Sequence, residues 1–359
     1  MLAVFYILAI IVVVTTAVPL ARRDAWWIRI FDFPRLQIIV IGAAALAGLI
    51  VFARPFDLAA LAAICLTAAA LAYQAYMMFP YTSLARPQVE QSREPVPANT
   101  LAILFANVLM TNRNADGLLR QIRSLEPDVV LLAETDDWWA DAVSELKVDH
   151  PYTVLHPRDN TYGLLLYSRL ELLDAEVKFL VQDDVPSIHG RLRLASGSIV
   201  EFRCLHPRPP VPTEEERSSP RDAEILIVGK ENRDTSLPFV VFGDLNDVAW
   251  SRTNYLFQNI SGLLDPRIGR GFFHTFHATI PLLKFPLDHL FHSNHFRLVD
   301  FRCLERFGSD HLPVYIKLSL EHDAKHAQEE PEPAEGDITE AEEAIAFAEE
   351  PAELRNASL

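Results

Sequence analysis

The sequence predicts a mixed α/β domain of two packed sheets flanked by helices, preceded by three transmembrane helices. Three observations carry this reading. Uncharged apolar runs, each near the roughly 20 residues that cross a bilayer as a helix, fill the first 80 positions. From residue 101 short hydrophobic strands alternate with helical stretches, without a regular βαβ repeat. At Glu321 the composition turns acidic.

The apolar runs are Leu2–Leu20, Leu36–Ala53 and Leu58–Phe79, the last with Gln74 as its strongly polar interruption. The first lacks the basic start of a cleaved signal peptide, and two more follow it. The connector 21–35 mixes Arg22, Arg23, Arg29 and Arg35 with Trp26 and Trp27, a composition suited to a membrane–water interface with arginines in water. Residues 54–57 hold one arginine. This asymmetry, diluted by Asp24 and Asp32, predicts a cytoplasmic first connector and a catalytic domain on the same side.

Residues 81–100, with Pro87, Pro95 and Pro97, read as a linker. The domain 101–320 has strand candidates at 101–106, 128–133, 163–168, 190–194, 199–205, 238–242, 287–291, 296–303 and 313–318. Helices are predicted at 114–125, with Leu118, Leu119, Ile122 and Leu125 on one face, and at 213–230, opened by Thr213 and Glu216 in capping-box spacing. The segment 321–359 holds 13 acidic residues against Lys325 and Arg355, a net −11 of the chain's −16. It reads as a disordered tail in which 338–350 has some helical character. No strongly basic domain remains, which argues against a duplex-DNA binder. Cys65, Cys204 and Cys303 show no metal-ligand spacing and read as buried thiols; a Cys204–Cys303 disulfide stays open for an oxidising compartment.

Polar residues at the ends of apolar strands are the candidate chemistry. Asn107 follows LAILFA, Glu134 follows DVVLLA, and His206 follows IVEFRCL. Asp244 and Asn246 lie in GDLND, Asp288 in PLDHLF, and Asp310 and His311 in GSDHLP. Singly, each suits a turn or cap. Together, Asn107, Glu134 and Asp310 offer the hard oxygen ligands that Mg²⁺ prefers. Asp288 suits an orienting role toward His311. Asp244 and Asn246 would point the same way if their segment were extended.

These motifs, in this order over about residues 100–320, resemble the endonuclease/exonuclease/phosphatase superfamily. Its members include DNase I, exonuclease III-type repair enzymes, neutral sphingomyelinases and inositol-polyphosphate 5-phosphatases. The strand YGLLLYSR and the pair Thr275–Phe276 add to the match. The resemblance implies a four-layer α/β/β/α sandwich and a metal-dependent phosphoric ester hydrolase. Glu134, with Asn107 and Asp310, would hold Mg²⁺, with Mn²⁺ as a substitute. Asp244, oriented by Asn246, would activate the attacking water, though relatives leave its role exchangeable with that of His311. His311, paired with Asp288, would hold the phosphate, and His206 would contact it or protonate the leaving oxygen.

Two departures stand out. His206 occupies a position that repair endonucleases give to tyrosine, and DNase I and lipid phosphoesterases to histidine. Leu109 stands where some relatives carry a second metal-linked carboxylate.

Among further residues, Arg208 in HPRPP is a candidate for substrate phosphate. His274 and His277 are spaced as zinc ligands can be but read as a loop beside the site. His289 reads as structural, and Asn356-Ala-Ser matches a glycosylation acceptor. The expected function is hydrolysis of a phosphodiester or phosphomonoester, from a lipid headgroup or a nucleic acid, at a membrane. A tethered nuclease would need arginines such as those at 113, 120, 123, 158, 191, 193, 203, 208, 217 and 221 to cluster into a basic groove. An inactive membrane scaffold of the same fold would show gaps among the motif positions, and none is missing.

Overall fold

The structure, a computed structural model, describes residues 1–233 and 235–349. It divides into two compact units. One comprises Met1–Arg86 with Pro210–Ser218, and the other Pro87–Pro209 with the chain from Ser219 on. The glycosylation acceptor at Asn356 and the end of the acidic segment lie outside the described residues.

The first unit contains three helices long and apolar enough to cross a membrane, Leu2–Ala17, Arg35–Phe52 and Leu58–Met78. Small residues let them approach. Gly42, Ala45 and Gly48 are buried on the middle helix, and a Cβ at Gly48 would overlap the Phe5 ring. Asp57 caps the third helix by accepting from the Ala60 N–H at 2.8 Å.

The connector departs from the interfacial expectation for two of its arginines. Arg29 and Arg35 are buried. Arg35 donates to Asp32 (2.7 Å) and to Gln74 (3.0 Å), whose amide donates to Thr16 (3.0 Å). A buried guanidinium requires such partners, and Asp32 supplies the countercharge.

The unit also takes in residues 210–218, which lie in sequence between two elements of the other unit. Trp26 N–H donates to the Glu216 carbonyl (2.9 Å), Ser218 N–H donates to the Asp24 carbonyl (2.7 Å), and Arg217 pairs with Asp24 at 3.0 Å. Held this way, residues 213–218 cannot be helical, which corrects the expected helix at 213–230. The helix runs Ser219–Arg233, with Pro220 in its first turn, where a missing N–H costs nothing.

The second unit is built on two mixed sheets. One has the order β10-β11-β1-β2-β4-β3, from strands β1 (Thr100–Asn107), β2 (Val129–Ala133), β3 (Tyr152–His156), β4 (Leu164–Ser168), β10 (Phe296–Cys303) and β11 (Val314–Leu320). The other runs β5-β6-β7-β8-β9, from β5 (Glu171–Lys178), β6 (Ser187–Arg193), β7 (Ile199–Leu205), β8 (Phe239–Asp244) and β9 (Asp288–His292).

Between the sheets lies a core including Ile103, Phe105, Leu131, Leu166, Phe202, Val240 and Phe242. On the outer face of the first sheet Leu118, Leu119 and Ile122 of the helix Ala115–Leu125 pack with Trp139. On the outer face of the second, Ile225 and Val228 pack with Phe257, Ile260 and Ala341. The result is the four-layer α/β/β/α sandwich.

Each sheet contains one parallel pair, β1 with β2 and β7 with β8. Parallel neighbours end at the same edge, so four strand ends and the residues that follow them converge.

Two segments differ from expectation. Residues 87–100 are not a free linker, because Val89 is fully buried in the inter-sheet core. Leu298 N–H donates to the Glu90 carbonyl (2.9 Å) and Ser92 N–H to the Leu298 carbonyl (2.8 Å), which covers the open edge of β10. The acidic segment is not disordered over 321–349. Gln328 is buried, and the helix Asp337–Glu349 buries Ala341. Arg252 pairs with Asp337 (2.9 Å) and Glu340 (2.5 Å), and Arg297 with Glu321 (2.5 Å) and Asp323 (3.0 Å). Overall acidity hid the specific arginines that receive these carboxylates. Cys65, Cys204 and Cys303 are all free thiols.

Candidate active site

The converging strand ends carry the polar residues singled out above. Asn107 is the last residue of β1, Glu134 follows β2, His206 follows β7, and Asp244 ends β8. The Asn107 amide donates to Glu134 (2.7 Å) and, across to the second sheet, to Asp244 (3.0 Å). One short side chain thus ties the two sheets together at the site.

Asp244 and Asp288 are direct cross-strand partners on antiparallel β8 and β9. Like charges opposite each other are unfavourable, more so when buried, as these are. His311 resolves the conflict. Its Nδ1 donates to Asp288 at 2.8 Å, and its Nε2 lies 3.6 Å from Asp244. Burial disfavours charge on His311, but Asp288 and Asp244 outweigh it and push the imidazole up to about 10. Asp244, Asp288 and His311 form a cluster of metal-ligating type. A protonated His311 is already the cation of that trio.

Glu134 behaves differently. Burial pushes its carboxyl up to about 7, against the Asn107 amide and His311, with Asp244 and Asp310 adding to the rise. The Asp244 and Asp310 carboxyls lie close enough to raise the Glu134 pKa, and with Glu134 they suit a hard divalent cation. The Asn107 amide turns its nitrogen to Glu134 and Asp244 and its oxygen to Leu109 N–H (3.0 Å). Glu134 also adopts a left-handed backbone (φ 59°), as does Asn246 (φ 51°). Non-glycine residues in this region are strained and cluster at functional sites.

The GDLND turn is built for close approach. Gly243 has φ 147°, and a Cβ there would overlap the Leu205 carbonyl on β7. Asp244 and Asn246 do not share a face, because the chain turns rather than continuing extended. Asp244 accepts from the Asn246 backbone N–H (2.9 Å), while the Asn246 amide donates to the Pro207 carbonyl (2.9 Å). Asn246 therefore orients Asp244 through its backbone and fixes the loop after His206 through its side chain. His206 is buried beside Tyr162, and burial lowers its pKa, so the ring is neutral near pH 7.

Asp310 stands at the mouth of the site, where its carbonyl accepts from Ala278 N–H at 2.7 Å. Ser309 Oγ donates to the Asn107 carbonyl (2.8 Å) and accepts from His311 N–H (3.0 Å), pinning the GSDH turn to β1. Thr275 Oγ1 accepts from Asp288 N–H at 3.2 Å. Arg208 lies two residues after His206 and shares its Tyr162 neighbour. It pairs with Asp184 at 2.5 Å and lies over the Tyr162 ring. His274 stacks on Phe272, and His277 Nδ1 meets Thr279.

A supporting network escaped sequence reasoning. Arg221, fully buried, donates to the Asn246 carbonyl (2.7 Å) and lies 3.4 Å from Asp247. His289 Nε2 donates to the Asp247 carbonyl (2.8 Å), and its Nδ1 accepts from Arg267 (2.7 Å), which pairs with Asp265. His289 is thus structural, and burial beside Arg267 keeps it neutral. The acceptor in GDLND and the arginine at 221 were visible in the sequence, but nothing there joins them.

The fold and this strand-end constellation define a phosphoesterase of the DNase I-like class. The model of the endonuclease/exonuclease/phosphatase family matches residues 104–311, and the chain belongs to that family. Its members include phosphodiesterases and nucleases that use divalent metals.

Similar solved structures include a D. rerio TDP2 humanized by 14 mutations (TM-score 0.53, 16% identity, 62% of this chain and 99% of that chain). The human Nocturnin catalytic domain with bound sulfate is another (TM-score 0.51, 15% identity, 64% and 97%). A Bacteroides vulgatus endonuclease/exonuclease/phosphatase is a third (TM-score 0.51, 18% identity, 62% and 99%). Among curated proteins, none matches the sequence closely enough to count as a relative.

Proposed function

We propose that this chain is a membrane-tethered, Mg²⁺-dependent hydrolase of a phosphodiester or phosphomonoester, with Mn²⁺ as a substitute metal. The observation that carries this reading is the Asn107–Asp244 hydrogen bond. It brings Asn107 and Glu134 of one sheet against Asp244 and Asp288 of the other, with His311, from the β10–β11 turn of the first sheet, reaching across to both acids.

Glu134, Asn107 and Asp310 are the residues that would hold the cation. When bound, it supplies charge neutralisation and polarisation of a phosphoryl oxygen. Asp244 accepts a proton from the attacking water, and its Asn246 N–H bond keeps the carboxylate turned toward the reacting centre. His311, held charged by Asp288, offers its Nε2–H to a phosphate oxygen and stabilises charge there. A neutral His206 is better suited to hydrogen-bond the phosphate than to serve as the strong acid.

Several features favour a membrane-held ester over a nucleic acid. Most of the arginines a nuclease groove would use are paired with acids, among them Arg113 with Asp136, Arg123 with Glu145, Arg191 with Asp174, Arg193 with Glu171, Arg203 with Glu231 and Arg208 with Asp184. Three helices long and apolar enough to cross a bilayer favour a substrate held in that bilayer. By arginine asymmetry the catalytic unit faces the cytoplasm, which protease protection of sealed vesicles would check.

The test is turnover by the full chain in proteoliposomes with Mg²⁺ or with chelator. The substrates are bis-p-nitrophenyl phosphate, phospholipids, phosphoinositides, plasmid DNA and RNA. Mg²⁺-dependent release that disappears in Asp244→Asn and His311→Ala supports the reading. Release insensitive to chelator or to both substitutions overturns it.

A further inference from the structure

Between Thr275 and Asp288 the chain leaves the active site, turns in solvent and returns. Phe276 and Phe285 pair as an antiparallel bridge, and Phe276 N–H donates to the Phe285 carbonyl at 3.0 Å. His277 N–H donates to the Leu283 carbonyl (2.6 Å), and Leu283 N–H closes the turn on Ile280 (3.1 Å). This is an ordered hairpin with a defined tip.

Its root is the active site itself. Phe276 bridges to His311, their rings 5.0 Å apart, and Ala278 N–H donates to the Asp310 carbonyl.

The tip is apolar. Ile280 is 40% exposed, Leu282 75% and Leu283 45%, with exposed Pro281 between them. Single exposed leucines are ordinary on protein surfaces; three aliphatic residues within four positions on a projecting turn are not. Charge points the same way. The chain has 48 acidic residues, yet none falls from Pro266 to Leu287, and the hairpin itself carries Lys284. An apolar tip with a lysine in the same hairpin and no acid within it matches an anionic lipid surface, where aliphatic groups enter the headgroup–acyl boundary and the ammonium stays among phosphates.

We propose that the hairpin 276–285 is a bilayer-contacting element that seats the rim of the active site on a membrane, so that the substrate is the phosphoester of a lipid embedded there. This inference rests on the phosphoester-hydrolase reading, and it names the substrate class for that site. The bilayer is the occupant because the same chain carries three helices of membrane-crossing length.

The test uses the full chain in proteoliposomes containing anionic phospholipid. Leu282→Cys, with Cys65 and Cys303 replaced by serine, is labelled with an environment-sensitive fluorophore. Val148→Cys, a position 84% exposed, serves as the control. The label at 282 is expected to shift to the blue and to be quenched by shallow spin-labelled lipids, while the label at 148 stays in water. Leu282→Asp combined with Leu283→Asp should lower turnover of a vesicle-embedded phospholipid at least tenfold and leave bis-p-nitrophenyl phosphate turnover unchanged.

A water-like, unquenched label at 282 overturns the proposal. So does a label shielded from water but not quenched by lipid, which would make the tip a protein-docking surface. If wild type hydrolyses none of the esters, the hydrolase reading fails, while the quenching result still decides where the hairpin sits.

Discussion

The two sheets of the catalytic unit each bring one parallel strand pair to the site, yet they equip it differently. The first sheet brings Asn107 and Glu134, with Glu134 desolvated and held in a left-handed backbone. The second brings Asp244, Asp288 and His206, backed by the buried Arg221–Asp247–His289–Arg267 network. On the proposed mechanism, Glu134, which would take up the cation, is left short of positive charge, while Asp244, which would take the proton, is braced from behind. The contrast predicts that substituting Glu134 will alter cation dependence, whereas substituting Asp244 or its support will alter rate and stability together.

The largest expected effect is on the relay. Asp244→Asn and His311→Ala should each lower kcat by about 10³-fold, within the range of lost acid–base and charge-stabilising groups, with the fold retained by circular dichroism. Equal losses in Glu134→Ala with no change in cation affinity would erase that distinction.

Next is Arg221→Met, which leaves Asp247 buried without its guanidinium. It should cost about 3 kcal/mol or more in unfolding free energy and lower kcat through the freed Asn246 carbonyl, read by thermal melts and turnover on the same sample.

The pH dependence separates Glu134 from His311. For Glu134 the folded pKa, about 7, lies above its ordinary 4.5, so its contribution to stability is present at low pH and lost as pH rises through 7. For His311, about 10 against 6.5, the contribution is full below 6.5 and lost as pH rises through 10. Without divalent cation, melting temperature should fall across both windows. Glu134→Gln should flatten the first and His311→Gln the second. Added Mg²⁺ should raise the melting temperature progressively from pH 5.5 to 8 in wild type but not in Glu134→Gln.

The smallest effect is expected at Arg208. Its pair with Asp184 is partly exposed, so Arg208→Ala should change stability by at most about 1 kcal/mol. A rise in KM without a change in kcat would show that Arg208 leaves Asp184 to meet substrate.

Much of this architecture was legible because it follows from local chemistry. Apolar strands ending in Asn, Glu, His or Asp marked the site, and Asn114 caps its helix as its position suggests, accepting from Gly117 N–H at 3.1 Å. β3 and β5 were missed because both are edge strands. The charges of β5 at Glu171, Asp174, Glu176 and Lys178 hide its alternation. The support behind the site was hidden for another reason. Which acid or carbonyl a buried arginine meets, as at Arg221 and Arg267, is decided by packing between distant segments and leaves no periodic trace. The acidic segment misled in the same way, since its composition resembles a solvated tail while Asp337 and Glu340 each answer Arg252.

The strip of chain at 89–92 that lies along β10 has a practical consequence. Together with Gln328, which donates to the carbonyls of Asn294 and Phe296, it acts as a selvedge that finishes an otherwise raw border of the sheet. A recombinant piece trimmed to 98–320 would keep every residue of the site and lose that finish. The bare strand would then be free to pair with its copy in a neighbouring molecule. A soluble catalytic piece therefore begins at or before Pro87 and keeps the acidic segment through its final helix.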